Sequence, residues 1–318
     1  GLSMGMALRD AYGESLSKYA VQNPNVVALD ADLANCTKTC IMQAMIPERV
    51  FDVGIAENNM AAMAVGFAAA GMIPFINTFA TLAASMCSLS AKALIGYSGL
   101  NVRIMGANNG LCGGYDGATH HAFDDLNVMR AIPGMIVLVP STPVMMDWMV
   151  RDLIAYTGGP AYVSISRNAA DEFYAPETTF VFGSSKQLTA GTDAAILACG
   201  LSVGRAMQAA AQLETEGLHV SVYDMFSIKP LDRAAAIQAA RQTGAVVTVE
   251  EHSVIGGLGS AVLEVLAEEQ IHACVHRVGI QDTYTESGSY AELLHEFALD
   301  APAIAEAVRQ VVQKKEEA

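Results

Sequence analysis

Basic residues are scarce in this chain: 18 lysines and arginines stand against 33 aspartates and glutamates, a net charge of −15 with a pI near 4.8. That balance disfavours nucleic acid and anionic membrane as partners, because counterion release requires a basic face. The six cysteines (36, 40, 87, 112, 199 and 274) include no Cys-x-x-Cys pair. Their mostly small or apolar neighbours fit reduced thiols in a cytoplasmic core. Cys36 and Cys40 could share a helical face, but no His or Cys lies close in sequence to complete a metal site, so no metal is expected on this chain. The amino terminus lacks a basic segment followed by an apolar run, so no secretion signal is expected there. Internal repeats and low-complexity segments are absent as well.

What is present is core-forming material, with 52% hydrophobic residues and a mean hydropathy of +0.32 over 318 residues, enough for two domains. From Asn58 through Ala91 there is no charged residue. Gly66, Gly71, Pro74, Asn77 and Thr78 interrupt that span and alanine dominates its first half, so it reads as helix, turn and buried strand rather than a membrane segment. Glu57 stands at its head, and the pattern predicts that it opens a buried helix. A carboxyl taken out of water favours its protonated form and can hand a proton to the ring nitrogen of a bound cofactor. The plainer reading is a first-turn residue stabilised by the helix dipole.

Short apolar runs with the character of buried strands recur at Val26–Leu29, Ile73–Ile76, Val102–Met105, Ile136–Val139 and Tyr162–Ile165. Helical periodicity fills Leu8–Ala20, Met60–Ala70 and Thr142–Tyr156 between them. This alternation predicts α/β architecture with a parallel sheet covered on both faces. Residues 168–188 carry no sustained period and read as a linker. Alternation then resumes from Ala194 to Val278, and helices at Tyr290–Phe297 and Pro302–Val312 close a second, smaller α/β unit. The expected organisation is two doubly wound α/β domains, 1–167 and 191–318, joined by 168–190.

Val53-Gly-Ile-Ala-Glu57-Asn-Asn, Asn77-Thr-Phe-Ala80, Asp116-Gly-Ala-Thr-His120 and Glu250-Glu-His-Ser…Gly256-Gly-Leu-Gly-Ser260 occur in that order. Together they resemble the transketolase family of thiamine diphosphate enzymes, over the pyrimidine-binding and carboxy-terminal domains of that family. The resemblance implies that Glu57 protonates the cofactor's aminopyrimidine, whose imino form strips a proton from the thiazolium carbon to give a nucleophilic ylide. It implies that Phe79 stacks on the pyrimidine, that Asp32 lies near the cofactor and that Leu33 is an apolar wedge holding it bent. Leu82 falls where a second aromatic often sits. Asp116 and His120 match a loop that contacts the donor's hydroxyl and oxygens, with the adjacent His121 in reserve. Arg9 and Arg167 match arginines that grip an anionic end of the substrate with their planar forks. Cys36 replaces a usual phosphate-binding serine and Asn108 a usual histidine, which weakens the case for ordinary pentose phosphates and leaves room for a modified sugar phosphate, a sulfosugar or a branched sugar.

The family holds the cofactor's diphosphate and its Mg²⁺ or Ca²⁺ through a separate domain marked by Gly-Asp-Gly, a string this chain lacks. The resemblance therefore implies a split enzyme: a partner subunit equivalent to the amino-terminal diphosphate-binding half, two copies of each chain, and a ketol transfer between sugars. Gly256–Ser260 is a candidate phosphate loop, although tight helix packing explains its glycines more simply. A decarboxylating condensation like that of deoxyxylulose-phosphate synthase, the beta subunit of a 2-oxo-acid dehydrogenase, and a catalytically silent homologue are the competing readings.

Overall fold

The computed structural model describes residues 3–317. Its larger sheet has seven strands in the order Ser227–Lys229, Ile136–Leu138, Ala161–Ile165, Arg103–Ala107, Ile73–Phe79, Val26–Asp30 and Val50–Asp52, and all but the first are parallel. Five strands form a second sheet: Cys274–Ile280, Ala245–Ser253, Ala194–Ala198, Val220–Asp224 and the antiparallel Lys186–Thr189. The predicted α/β class with two main sheets is what forms; the first, expected to be parallel, carries one antiparallel edge strand, and the second is mixed.

Val26–Asp30 shows why its residues make a central strand. Val26 and Ala28 pack into one core cluster while Val27 and Leu29 pack into another, so the period of two places apolar groups on both covered faces. The cluster holding Val27 and Leu29 also takes in Ala195, Leu197, Tyr223 and Val246 of the second sheet, so one core runs between the two halves. Helix Pro143–Ala155 starts on a proline in its first turn, capped by the Thr142 hydroxyl accepting from the Met145 N–H at 3.2 Å.

Three features depart from the periodicity. Residues 168–188, expected to be irregular, contain the strand Ala169–Glu172, which pairs antiparallel with Ser3–Ala7, and the start of Lys186–Thr189. Both are short edge elements whose partners lie far away in sequence. The strand Ser227–Lys229 crosses to pair with Ile136–Leu138, tying the second half to the first sheet. Arg103 is fully buried and donates to the carbonyls of Leu153, Tyr156 and Gly159, while burial pulls its pKa down to about 10.

Candidate active site

The expected residues sit where strands of the first sheet end. Asp30, at the end of Val26–Asp30, is buried in register with Asp52 and Asn77. Its carboxyl accepts the Leu33 N–H at 2.6 Å and the hydroxyls of Thr37 and Thr39 at 2.6 and 2.9 Å. Burial pushes its pKa up and those hydrogen bonds pull against the shift. Asp30 thus fixes the turn that presents Asp32 and Leu33. Asp32 is exposed with a left-handed φ of 62°, and Leu33 is half-buried. The Asp52 carboxyl accepts the N–H groups of Asp32 at 3.1 Å and Gly54 at 2.9 Å, joining this turn to the one before Glu57. Gly54 turns there at φ 73°, a conformation that favours glycine.

Glu57 is the first residue of the helix Glu57–Ala69 and is 6% exposed. Its carbonyl accepts the Cys87 thiol at 3.3 Å, whereas its carboxyl has no hydrogen-bond partner among the described residues. Burial, with the Glu57 charge nearby, pushes the Cys87 thiol up to about 12, so that sulfur stays protonated. The helix is buried on one side only, which corrects the expectation of a buried helix. Exposed apolar residues on this helix and in the segments that flank it in sequence include Ile55, Met63, Met86, Leu89 and Tyr97.

Asn77 is structural: its amide donates to Leu29 and Phe75 carbonyls at 3.0 and 2.9 Å, and it accepts from the Tyr12 hydroxyl at 2.5 Å. This locks the strand that ends at Phe79, whose half-buried ring faces outward to the His120 imidazole in an edge contact at 6.2 Å. Leu82 follows, half-buried in the helix Ala80–Ser85.

Asp116 and Arg167 form an ion pair at 3.2 Å. Arg9 is tied to the same corner, its N–H donating to the Ser166 carbonyl at 3.2 Å, and its buried Nε has no partner among the described residues. Asn108 follows the strand Arg103–Ala107 at φ 57°, and its buried Oδ1 also has no partner among the described residues. Cys36 is half-buried in the short helix Ala34–Thr37 and makes no side-chain hydrogen bond to these groups among the described residues. The fold thus brings Phe79 to His120 and Asp116 to Arg167. His121 is not free for the role held in reserve: it is buried, with both ring nitrogens engaged by Gly114 and Thr285.

The glycine-rich loop is already occupied. The N–H groups of Leu258 and Gly259, which open the helix Leu258–Glu268, donate to the buried Glu250 carboxyl at 2.7 and 2.8 Å. Burial pushes the pKa of Glu250 up. A Cβ on Gly257 would land on Glu250 Oε2 and 2.7 Å from His252 Nδ1, so close packing accounts for the glycine. Asp30 and Glu250 were missed as organising carboxylates. Asp30 shares its motif with Asp32, and nothing in a linear string says which of the two turns inward.

Residues 4–171 match the family profile "Transketolase, pyrimidine binding domain", and residues 183–304 match "Transketolase, C-terminal domain". The chain belongs to the transketolase family. A 6-deoxy-6-sulfo-D-fructose transketolase subunit of a Clostridium species is 36% identical, over 97% of this chain and 95% of that protein. An apulose-4-phosphate transketolase subunit of Phocaeicola vulgatus is 33% identical, over 97% of this chain and 98% of that one. Among solved structures, a split-gene transketolase described as an inactive beta4 tetramer superposes with a TM-score of 0.88 at 40% identity, covering 98% of this chain and 99% of its own. Transketolases depend on thiamine diphosphate. The residues of this transketolase-family chain fit the pyrimidine half of that cofactor, through the largely buried Glu57, whose side chain makes no hydrogen bond among the described residues, and an outward aromatic ring. Its glycine-rich loop does not fit the diphosphate half, since Glu250 takes the N–H groups.

Proposed function

We propose that this chain is one subunit of a two-chain transketolase that moves a two-carbon ketol unit from a ketose donor to an aldose acceptor. The observation that carries this reading is Glu57, 6% exposed at a helix start with no side-chain hydrogen bond among the described residues, in the same half of the chain as the outward Phe79 ring and the Asp116–Arg167 ion pair. An acid so placed is satisfied when a ring nitrogen arrives to share its proton. Bound thiamine diphosphate supplies a nucleophilic carbon and an electron sink for cleavage beside a carbonyl.

The chain's own residues bind and orient around that group. Glu57 holds a proton at the pyrimidine ring nitrogen, Phe79 stacks on the ring, and Leu33 and Leu82 exclude water from its edges, with Asp32 at the rim. His120 gives and takes protons at donor oxygens, and Asp116 accepts a hydrogen bond from a donor hydroxyl. Arg9 and Arg167 grip an anionic end, with Asn108 and Cys36 beside them. The unpartnered Arg9 Nε supplies a donor for that end, and the unpartnered Asn108 Oδ1 an acceptor for a sugar hydroxyl. Because Cys36 and Asn108 depart from the phosphate-binding pattern, the donor is a modified sugar phosphate, a sulfosugar or a branched sugar; the names of the two relatives, one for 6-deoxy-6-sulfo-D-fructose and one for apulose 4-phosphate, support a donor other than an ordinary pentose phosphate.

A cytoplasmic partner subunit holds the diphosphate and its Mg²⁺ or Ca²⁺, in an assembly with two copies of each chain. Residues 1–167 form the pyrimidine-binding domain and 191–318 the carboxy-terminal one. The lack of Gly-Asp-Gly and the exposed apolar residues beside Glu57 support a shared site. The test combines this chain with a companion carrying Gly-Asp-Gly, thiamine diphosphate, magnesium and a panel of D-fructose 6-phosphate, 6-deoxy-6-sulfo-D-fructose and apulose 4-phosphate. Aldehyde release without carbon dioxide is expected; carbon dioxide from pyruvate, or turnover by this chain unaided, overturns the reading.

A further inference from the structure

The loop carrying Asp116 and His120 leaves the first sheet, yet the carboxy-terminal half holds it. His121 is buried; its Nε2 lies 3.0 Å from the Gly114 carbonyl and its Nδ1 lies 2.7 Å from the Thr285 hydroxyl. A carbonyl only accepts, so Nε2 carries the proton and Nδ1 accepts from Thr285, fixing one neutral tautomer. Burial favours that neutral form by pulling the His121 pKa down.

Both ends of the loop are held by the same half. At its start the Leu111 N–H points at Glu251 Oε2 at 3.4 Å, and Glu251 is itself fixed by Arg205 at 2.7 Å and by the Tyr290 hydroxyl at 2.5 Å. At its end the Ser253 N–H donates to the Phe123 carbonyl at 2.8 Å. In between, the backbone runs so close to residues 287 and 288 that a Cβ on Gly117 would lie 2.6 Å from Ser287 Oγ and one on Gly114 would lie 3.2 Å from the Gly288 carbonyl. Both glycines also have left-handed φ, 78° and 60°. Asp116 and His120 are exposed, and among the described residues the side-chain hydrogen bonds and ring contacts of these two go to Arg167, Thr119 and the Phe79 edge. Their poses therefore follow the loop backbone, and the loop backbone follows its anchors.

We propose that Thr285 is a positioning residue for donor binding: through His121 its hydroxyl sets the backbone that aims Asp116 and His120 at the donor. This rests on the ketol-transfer reading. It assigns the carboxy-terminal domain a part in substrate recognition, exerted from a residue 164 positions away from His121 in sequence. A fixed loop lowers the cost of orienting a donor, and a loosened one raises it.

Thr285→Val keeps the shape and removes the hydroxyl, leaving Nδ1 buried without a donor. His121→Leu removes both bonds, whereas His121→Gln retains an amide donor and a carbonyl acceptor. Hydrogen–deuterium exchange on the full chain needs no turnover: in Thr285→Val and His121→Leu, amides of 111–121 are expected to exchange about tenfold faster, with the helix Glu57–Ala69 unchanged and His121→Gln close to the parent. In the assembled enzyme, with D-fructose 6-phosphate or 6-deoxy-6-sulfo-D-fructose as donor, the same two variants are expected to raise donor KM about tenfold with kcat within about threefold and thiamine diphosphate affinity unchanged. Unchanged loop exchange in Thr285→Val overturns the latch. Faster exchange with donor KM and kcat both within twofold of the parent, or an equal loss of cofactor affinity, overturns the positioning role. A parent assembly that transfers no ketol unit overturns the functional reading and this proposal with it, while the exchange result still shows whether the latch exists.

Discussion

The ring of Phe79 meets the imidazole of His120 edge to face, with centroids 6.2 Å apart and planes at 70°. Phe79 ends a strand locked into the sheet by Asn77, while His120 belongs to a loop anchored from the other half of the chain. One surface thus carries both the ring proposed to stack on cofactor and the base proposed to meet donor.

Glu57→Gln removes the proton and keeps the shape. Turnover by the assembled enzyme is expected to fall by roughly a hundred- to ten-thousand-fold, the range for a positioned acid or base. Thermal unfolding is expected to be little changed, because the side chain has no hydrogen-bond partner to lose among the described residues and the amide keeps its shape. Near-normal turnover would remove Glu57 from the proton relay.

Asp116→Asn breaks an ion pair whose side chains are 36% and 44% exposed, so its cost in stability is expected to stay under about 1 kcal/mol. Donor KM is expected to rise. Calorimetry and steady-state kinetics on the same preparation check both halves; a large loss of stability would make the residue structural instead.

Stability is expected to fall as pH rises toward neutrality, through Asp224. This carboxyl is buried with the Ser141 and Tyr174 hydroxyls, and burial pushes its pKa up to about 7 from 3.8. Between those values the folded chain binds more protons than the unfolded one, so this contribution is fully present below about pH 4 and lost as pH passes 7, with a slope of at most ~1.4 kcal/mol per pH unit. Asp224→Asn is expected to flatten that slope in urea unfolding at pH 5 to 8. Parallel slopes for parent and variant would assign the dependence to another group.

Gly257→Ala should destabilise the fold by about 1–3 kcal/mol, the usual cost of overpacking, because its Cβ would press on Glu250 and His252. Urea midpoints measure this. A neutral result would mean that the loop can open, and would return it to consideration as a ligand site.

Ile55, Leu89 and Tyr97 are 81%, 69% and 91% exposed beside the Glu57 helix. The chain alone is expected to self-associate through these exposed apolar residues, and Leu89→Lys with Tyr97→Lys is expected to shift sedimentation toward monomer and to block assembly with the partner. Unaltered sedimentation and assembly would place the interface elsewhere.

The sequence by itself determined most of the long strands and helices, because apolar residues at a period of two or 3.6 record which faces are covered: Val26–Leu29 lies within the strand Val26–Asp30, and Thr142–Tyr156 matches the helix Pro143–Ala155 within a residue at each end. It also placed Glu57 at a helix start and carried the family motifs. Tertiary structure decided the polar pairings: Asp30 rather than Asp32 turned inward, Glu250 closed the glycine-rich loop, and His121 met Thr285. It also sent Ser227–Lys229 across to the first sheet and left one side of the Glu57 helix open. Periodicity reports whether a residue faces apolar surroundings, but a buried polar group takes whichever partner the packing of distant loops brings within about 3 Å, and that geometry exists only once the chain has folded.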